Sequence, residues 1–165
     1  MRYNKKDGIE LSIRAVVAEE LPQLQKMYQE AFRGLLKKYQ DNETNPATVT
    51  MKQLEKLHAS PTDEQLFILV DGKAVGSIKL SHLPNETIKL GPIAVLPTYQ
   101  KQGIGKAAMA QIEEKYPACR RWLLDTIKQE VYLVNFYKSL GYVPTGKTEK
   151  VQSNMTIIFF QKEVS

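Results

Sequence analysis

The chain has 165 residues, 42% apolar and 25% charged, a profile that fits one folded domain with a proper core and not a disordered or fibrous chain. No apolar run reaches the roughly 18 residues of a membrane span, and "MRYNKKDGIELSIR" lacks the apolar core and cleavage site of a secretory signal. Basic residues outnumber acidic ones 23 to 18, but "EE", "DNE" and "TDE" interrupt the lysines, so the surplus argues for a small anionic ligand and against nucleic acid.

In chain order, "IELSIRAV" predicts a strand, with Ile9, Leu11 and Ile13 alternating against polar neighbours. Leu21, Leu24, Tyr28, Ala31, Phe32 and Leu35 then recur at helical spacing. The polar "KKYQDNETNPATVT" reads as a loop, and a short helix follows through Leu54 and Leu57. "QLFILV" and "KAVGSIKLS" predict a hairpin turning at Asp71-Gly72, a dipeptide that accepts positive φ at both positions. "TIKLGPIAVLP" predicts a further strand, and Gly91-Pro92 inside it predicts a bulge or lost pairing, because proline cannot donate to a ladder. A helix from about Gly103 to Tyr116, the strand "RRWLLDTI", the helix "EVYLVNFYKSLG" ending at Gly141, and one or two closing strands including "MTIIFFQKEV" complete the pattern. This order predicts an α/β (α+β layered) single domain over residues 1–165, its central mixed sheet covered by helices on both faces.

The stretch "VLPTYQKQGIGKAAM" carries the chemistry. A dinucleotide fingerprint is satisfied by Gly103, Gly105 and Ala108, with Asp125 in the place of the ribose-binding acid, but "PTYQKQ" separates the strand from the first glycine. The phosphate loop of nucleotide hydrolases fails, because Gln100 stands where its first glycine belongs and Ala107 where its hydroxyl belongs. The third possibility is a metal-free pyrophosphate cradle at a helix N-terminus. Free N–H groups at residues 102–106 would face the ligand, glycine would allow close approach, and Lys101 and Lys106 would add charge.

That segment resembles motif A of the GNAT-type N-acetyltransferases. Gln100-Lys101-Gln102-Gly103-Ile104-Gly105 matches the Q/R-x-x-G-x-G/A signature, Val95 and Pro97 fall where the family has them, and "NFYKSLGY" is similar to the family's "FYxKxGF" segment. The resemblance implies a mostly antiparallel mixed sheet of about six or seven strands flanked by about four helices. It implies a cradle, Gln100, Lys101, Gln102, Gly103, Ile104, Gly105 and Lys106, for the pyrophosphate of acetyl-CoA. It also implies that the backbone of Ile93, Ala94 and Val95 pairs with the pantetheine amides as an added strand would. The implied reaction is direct attack of a substrate amine on the thioester, with Tyr137 as general acid to the leaving thiolate; the packing alternative for Tyr137 is an aromatic anchor beside Phe136 and Tyr142.

Two departures stand out. The family's cofactor-bonding asparagine and its small neighbour are replaced by Glu130 and Leu133, leaving Asn135 as the nearest asparagine. The glutamate that many members carry early in the motif A strand is Lys89 here, which leaves solvent or Glu86 as the base. Asp125 and Thr126 end a strand beside the groove and could line an acceptor pocket or cap a turn. His58 and His82 lack partners at metal-ligand spacing, so no metal is expected. Cys119 has neighbours, Arg120 and Arg121, that favour a thiolate, but no nearby histidine. A lone cysteine without a secretory signal suits the cytoplasm. The expected partners are acetyl-CoA and a small-molecule or peptide amine; an acyl-CoA-binding module without transfer and an NAD(P)-binding protein are the alternatives. The apolar "TIIFF" either extends a sheet across a homodimer or lies buried in a monomer.

Overall fold

The computed structural model of the protein describes residues 10–164, so Ile9 of the expected first strand lies outside the described residues. Strand β1 (Leu11–Ala15) leads through a 3₁₀ turn into α1 (Leu21–Tyr39), followed by α2 (Met51–Ala59). Then come β2 (Asp63–Val70), β3 (Lys73–Leu83), β4 (Thr87–Val95), α3 (Ile104–Lys115), β5 (Arg121–Ile127), α4 (Val131–Ser139), β6 (Val143–Gln152) and β7 (Met155–Glu163).

The seven strands form one sheet in the order β1-β2-β3-β4-β5-β7-β6. Every neighbouring pair is antiparallel except β4 and β5, which run parallel. A doubly wound parallel sheet is therefore excluded, and the dinucleotide reading with it. The apolar run of β2 is explained by burial on both faces. Leu66 packs with Met109 and Ile112 of α3, while Phe67 and Leu69 pack with Leu21, Leu24 and Leu54 of α1 and α2.

Local chemistry sets the element ends. Asp71 (φ 50°) and Gly72 (φ 81°) form the expected turn between β2 and β3. Thr50 and Gln53 close a reciprocal cap on α2, with bonds of 3.1 and 2.9 Å. Gly141 (φ 94°) follows α4 in the left-handed conformation.

One expectation needs correction, and one open alternative is decided for its strand. Helix α1 continues through Lys37, Lys38 and Tyr39 into the segment expected as loop, because Tyr39 is buried against Ile127 and Met155, distant residues that no local pattern announces. The "TIIFF" strand lies inside the sheet, with β5 on one side and β6 on the other, so it offers no free edge for a second copy. Among the described residues no helix is long and apolar enough to cross a membrane.

Candidate active site

The two parallel strands separate. They pair only as Thr87↔Arg121, Ile88↔Trp122 and Lys89↔Leu123, although β4 continues to Val95 and β5 to Ile127. The cause is on the other side of β4. Leu80 opposes Leu90 and Ile78 opposes Ile93, so Gly91 and Pro92 together face the single residue Lys79. This bulge turns β4 away from β5, as the Gly91-Pro92 dipeptide predicts. A side chain on residue 91 would stand 3.0 Å from the Lys79 Cβ, a tight approach that glycine avoids.

Beyond the bulge, the backbone of β4 divides its groups between two directions. The Leu96 N–H donates to the Val75 carbonyl at 2.9 Å, on the β3 side. Strand alternation then turns the N–H and C=O of Ile93 and Val95 away from β3, into the opening. Ala94, between them, is buried against α1. An extended chain bearing amides finds there the unpaired edge that added strands use.

The opening leads to the start of α3. The Gln100 carboxamide donates to the Val95 carbonyl at 2.9 Å, and that of Gln102 to the Thr98 carbonyl at 2.9 Å, so both glutamines brace the loop from within. Lys101 (φ 60°) and Gly103 (φ 83°) take left-handed backbone, a strain accepted at Lys101 despite its side chain. The first main-chain bond of α3 is from the Ala107 N–H to the Gly103 carbonyl, at 3.0 Å. The N–H groups of residues 102–106 have no acceptor among the described residues. They form a positive nest at the positive end of the helix dipole, with the exposed Lys101 and Lys106 beside it.

The two glycines serve different ends. A methyl on Gly103 would meet nothing within 4 Å, so what requires glycine there is the backbone angle. A methyl on Gly105 would stand 3.2 Å from the Phe136 ring, so that glycine seats α3 against α4. Tyr132, which the sequence reading passed over, brings its ring to 5.7 Å from the Lys101 ammonium, and Asn135 is exposed on the same stripe of α4. Its signal was an exposed aromatic in the first turn of a helix.

Tyr137 is buried among Phe136, Tyr142 and Phe160. Burial pushes its pKa well above the ordinary phenol range, and the negative charge of Asp125 pushes it further. Asp125 stands past the last β4–β5 pair, and its carboxylate receives the Lys89 ammonium at 3.1 Å. Ile88 and Leu90 belong to the α3/α4 core, as do Trp122 and Leu124, so Lys89 and Asp125 face the α1 side. Phe159, opposite Asp125 in register, shares that face, and the Lys147 ammonium lies 4.5 Å from its ring centroid.

Other candidates have structural duties. Glu130 accepts from Lys38 at 2.6 Å and from the Tyr39 hydroxyl at 2.5 Å, clasping the end of α1 to the start of α4. Glu86 pairs with Arg120 at 2.9 Å at the closed end of β4, away from the opening, which corrects its candidacy as base. Cys119 is buried and donates to the Arg121 carbonyl, and burial raises its pKa; the arginines turn to Glu86 and Glu163 and do not form a thiolate. His82 pairs with Glu64 at 2.5 Å, and the Tyr116 hydroxyl donates to the same carboxylate.

A family model described as "Acetyltransferase (GNAT) family" matches residues 21–142, most of the chain, including β4, the nest before α3, β5 and Tyr137. The chain belongs to the GNAT family of acetyltransferases. Solved structures agree on the GNAT fold. The ribosomal-protein-S18-alanine N-acetyltransferase of Escherichia coli aligns with a TM-score of 0.75 at 16% identity, over 94% of this chain and 95% of that one. The PaiA N-acetyltransferase of Thermoplasma acidophilum, solved in complex with coenzyme A, aligns with a TM-score of 0.68 at 16% identity, over 94% and 99%. A curated relative, the uncharacterized protein YrkN of Bacillus subtilis (strain 168), is 34% identical over 121 residues, covering 72% of this chain and 64% of its own length. In this GNAT protein the expected mixed, mostly antiparallel sheet is present, with seven strands and four α-helices among the described residues.

Proposed function

We propose that the protein transfers the acetyl group of acetyl-CoA to a primary amine by direct attack within a ternary complex. The observation that carries this reading is the opening between β4 and β5, which runs from strand backbone turned away from β3 at Ile93 and the Val95 N–H, the Val95 carbonyl being held by Gln100, to unpaired N–H groups at residues 102–106. Extended amides and a pyrophosphate are the two ligand parts that such a groove and nest accommodate together. Two GNAT structures solved with coenzyme A or acetyl-CoA support the same ligand.

Tyr137 is the hydroxyl assigned to the leaving sulfur. A thiol has a pKa near 8.5 and a phenol near 10, and burial raises that of Tyr137 further. Net loss of the phenol proton is therefore uphill. Tyr137 acts best as a hydrogen-bond donor that passes its proton to the departing sulfur while it takes one from the acylated ammonium, a far stronger acid. Calorimetry with acetyl-CoA, with NADH and ATP as controls, tests the groove, and release of free CoA across a panel of amines tests the transfer. Micromolar binding of acetyl-CoA alone followed by steady thiol release is the expected result. Binding without release would reduce the protein to an acyl-CoA-binding module, and no binding would end the proposal.

A further inference from the structure

A lysine stands where β4 and β5 part, on the face turned to α1. Lys89 is the last β4 residue paired with β5, and Asp125 holds its ammonium at 3.1 Å. Asp125 is also close enough to Tyr137 for its charge to act on that hydroxyl. A primary amine and a carboxylate thus meet where the two strands part, and Tyr137, on the α4 side of the sheet, lies within reach of the carboxylate's charge.

The length of the groove puts the same point at its reactive end. A pantetheine arm extends about as far as five residues of extended chain. Laid along β4 from the nest beyond Val95, it ends near Leu90 and Gly91, next to Lys89. Lys101 and Lys106 sit at the opposite, phosphate end. Resting on the acetyl-CoA reading above, we infer that Lys89 is itself an acetyl acceptor, modified within its own molecule by the acetyl-CoA bound in this groove.

The chemistry balances. The Lys89 ammonium gives up one proton to solvent, while Asp125 holds the nitrogen in place. The neutral amine attacks the thioester carbon, so a C–N bond forms and the C–S bond breaks. The second nitrogen proton goes to the sulfur through the Tyr137 hydroxyl, and the products are acetyl-lysine, CoA thiol and one released proton. The tether supplies the positioning that a free amine must obtain from binding. Acetylation also removes the charge that Asp125 now pairs with, so it uncovers a carboxylate able to hold the ammonium of a second, free acceptor.

The test uses the whole protein, acetyl-CoA and no added amine. Acetyl-CoA binding is measured by calorimetry, and acetylation is followed by intact mass and peptide mapping at several protein concentrations. Lys89 should gain one acetyl group at least ~10-fold faster than Lys101, Lys106 or any other lysine, with a rate constant independent of protein concentration. Lys89→Arg, which keeps a cation for Asp125, should retain the melting temperature and lose the mass gain. Binding of acetyl-CoA with Lys89 modified no faster than the other lysines overturns this inference and leaves the cofactor reading standing. A mass gain that persists in Lys89→Arg overturns it as well. Absence of binding overturns both.

Discussion

Replacing Gly76 by alanine tests how tightly β3 supports the strand proposed to carry the cofactor. Gly76 lies opposite Val95, and an added Cβ would stand 2.4 Å from the Ala94 carbonyl oxygen and 3.2 Å from the Ile68 Cδ1. Real Cβ atoms essentially never come within 3.0 Å of another heavy atom, so the carbonyl must retreat by at least the difference, 3.0 − 2.4 = 0.6 Å. Ala94 is buried under α1, so the strand cannot shift alone. Overpacking of this kind costs about 1–3 kcal/mol, and alanine recovers roughly 0.5–1 kcal/mol of chain entropy relative to glycine in a strand. The difference spans about 0–2.5 kcal/mol; because the 2.4 Å clash is with backbone and not with a flexible side-chain end, Gly76→Ala falls in its upper part, about 1–2 kcal/mol, or about 2–8 °C in Tm for a chain of this size. Thermal and urea unfolding would report it, and calorimetry would show weaker acetyl-CoA binding because Ile93 and Val95 flank the displaced carbonyl. A Tm unchanged or raised in Gly76→Ala would refute the reasoning, since it would mean that β4 yields freely.

Three further outcomes are expected. Gly103→Ala should cost about 1–2 kcal/mol of stability, the penalty of left-handed backbone for an L side chain, and should weaken acetyl-CoA binding in calorimetry; Gly105→Ala should act through Phe136, so that Phe136→Leu combined with it restores part of the Tm. Tyr137→Phe should lower kcat about 10²-fold or more with acetyl-CoA affinity unchanged, and full activity in that variant would remove Tyr137 from the reaction. Asp63 has its pKa lowered by a hydrogen bond from Ser81, with Ser60 adding to it against the opposing effect of burial. Its stabilisation is therefore present above the unfolded carboxylate pKa of about 3.9 and is lost as pH falls through the lower folded value. Ser81→Ala should destabilise at pH 6 and make a smaller difference near pH 3 in urea titrations; an equal difference at both would exclude the Asp63 linkage.

The legible parts of the fold were those dictated by neighbours in sequence. Asp71-Gly72 specified its turn, and Gly91-Pro92 specified the bulge that opens the groove, because both act through local backbone geometry. The nest was readable for the same reason: its glycines and its position before a helix lie within one short stretch. What stayed hidden depends on pairing across the sheet. Strand β6 is exposed along nearly its whole length, so no alternation marks it, and only its hydrogen bonding to β7 makes it a strand. The Lys89–Asp125 contact joins two strands that only a crossover through α3 brings together. Without it, Lys89 read as a missing acid; with it, a carboxylate returns to the same spot from the neighbouring strand. The carboxamides of Gln100 and Gln102 brace the loop that forms the nest, a role that the motif alone did not announce.

The sheet order also bears on how the molecule assembles. Strands β2, β3 and β4 join through short hairpins and can pair as soon as they meet, whereas β5 takes its second neighbour from β7, with α4 and β6 intervening. Pairing between distant segments carries a loop-closure cost that delays it. The groove between β4 and β5 is therefore the seam between an early-forming half and a late one, its strand pairing limited to Thr87, Ile88 and Lys89. A ligand lying along that seam would join the two halves, and pulse-labelled hydrogen exchange during refolding should find β5 and β7 protected after β2, β3 and β4.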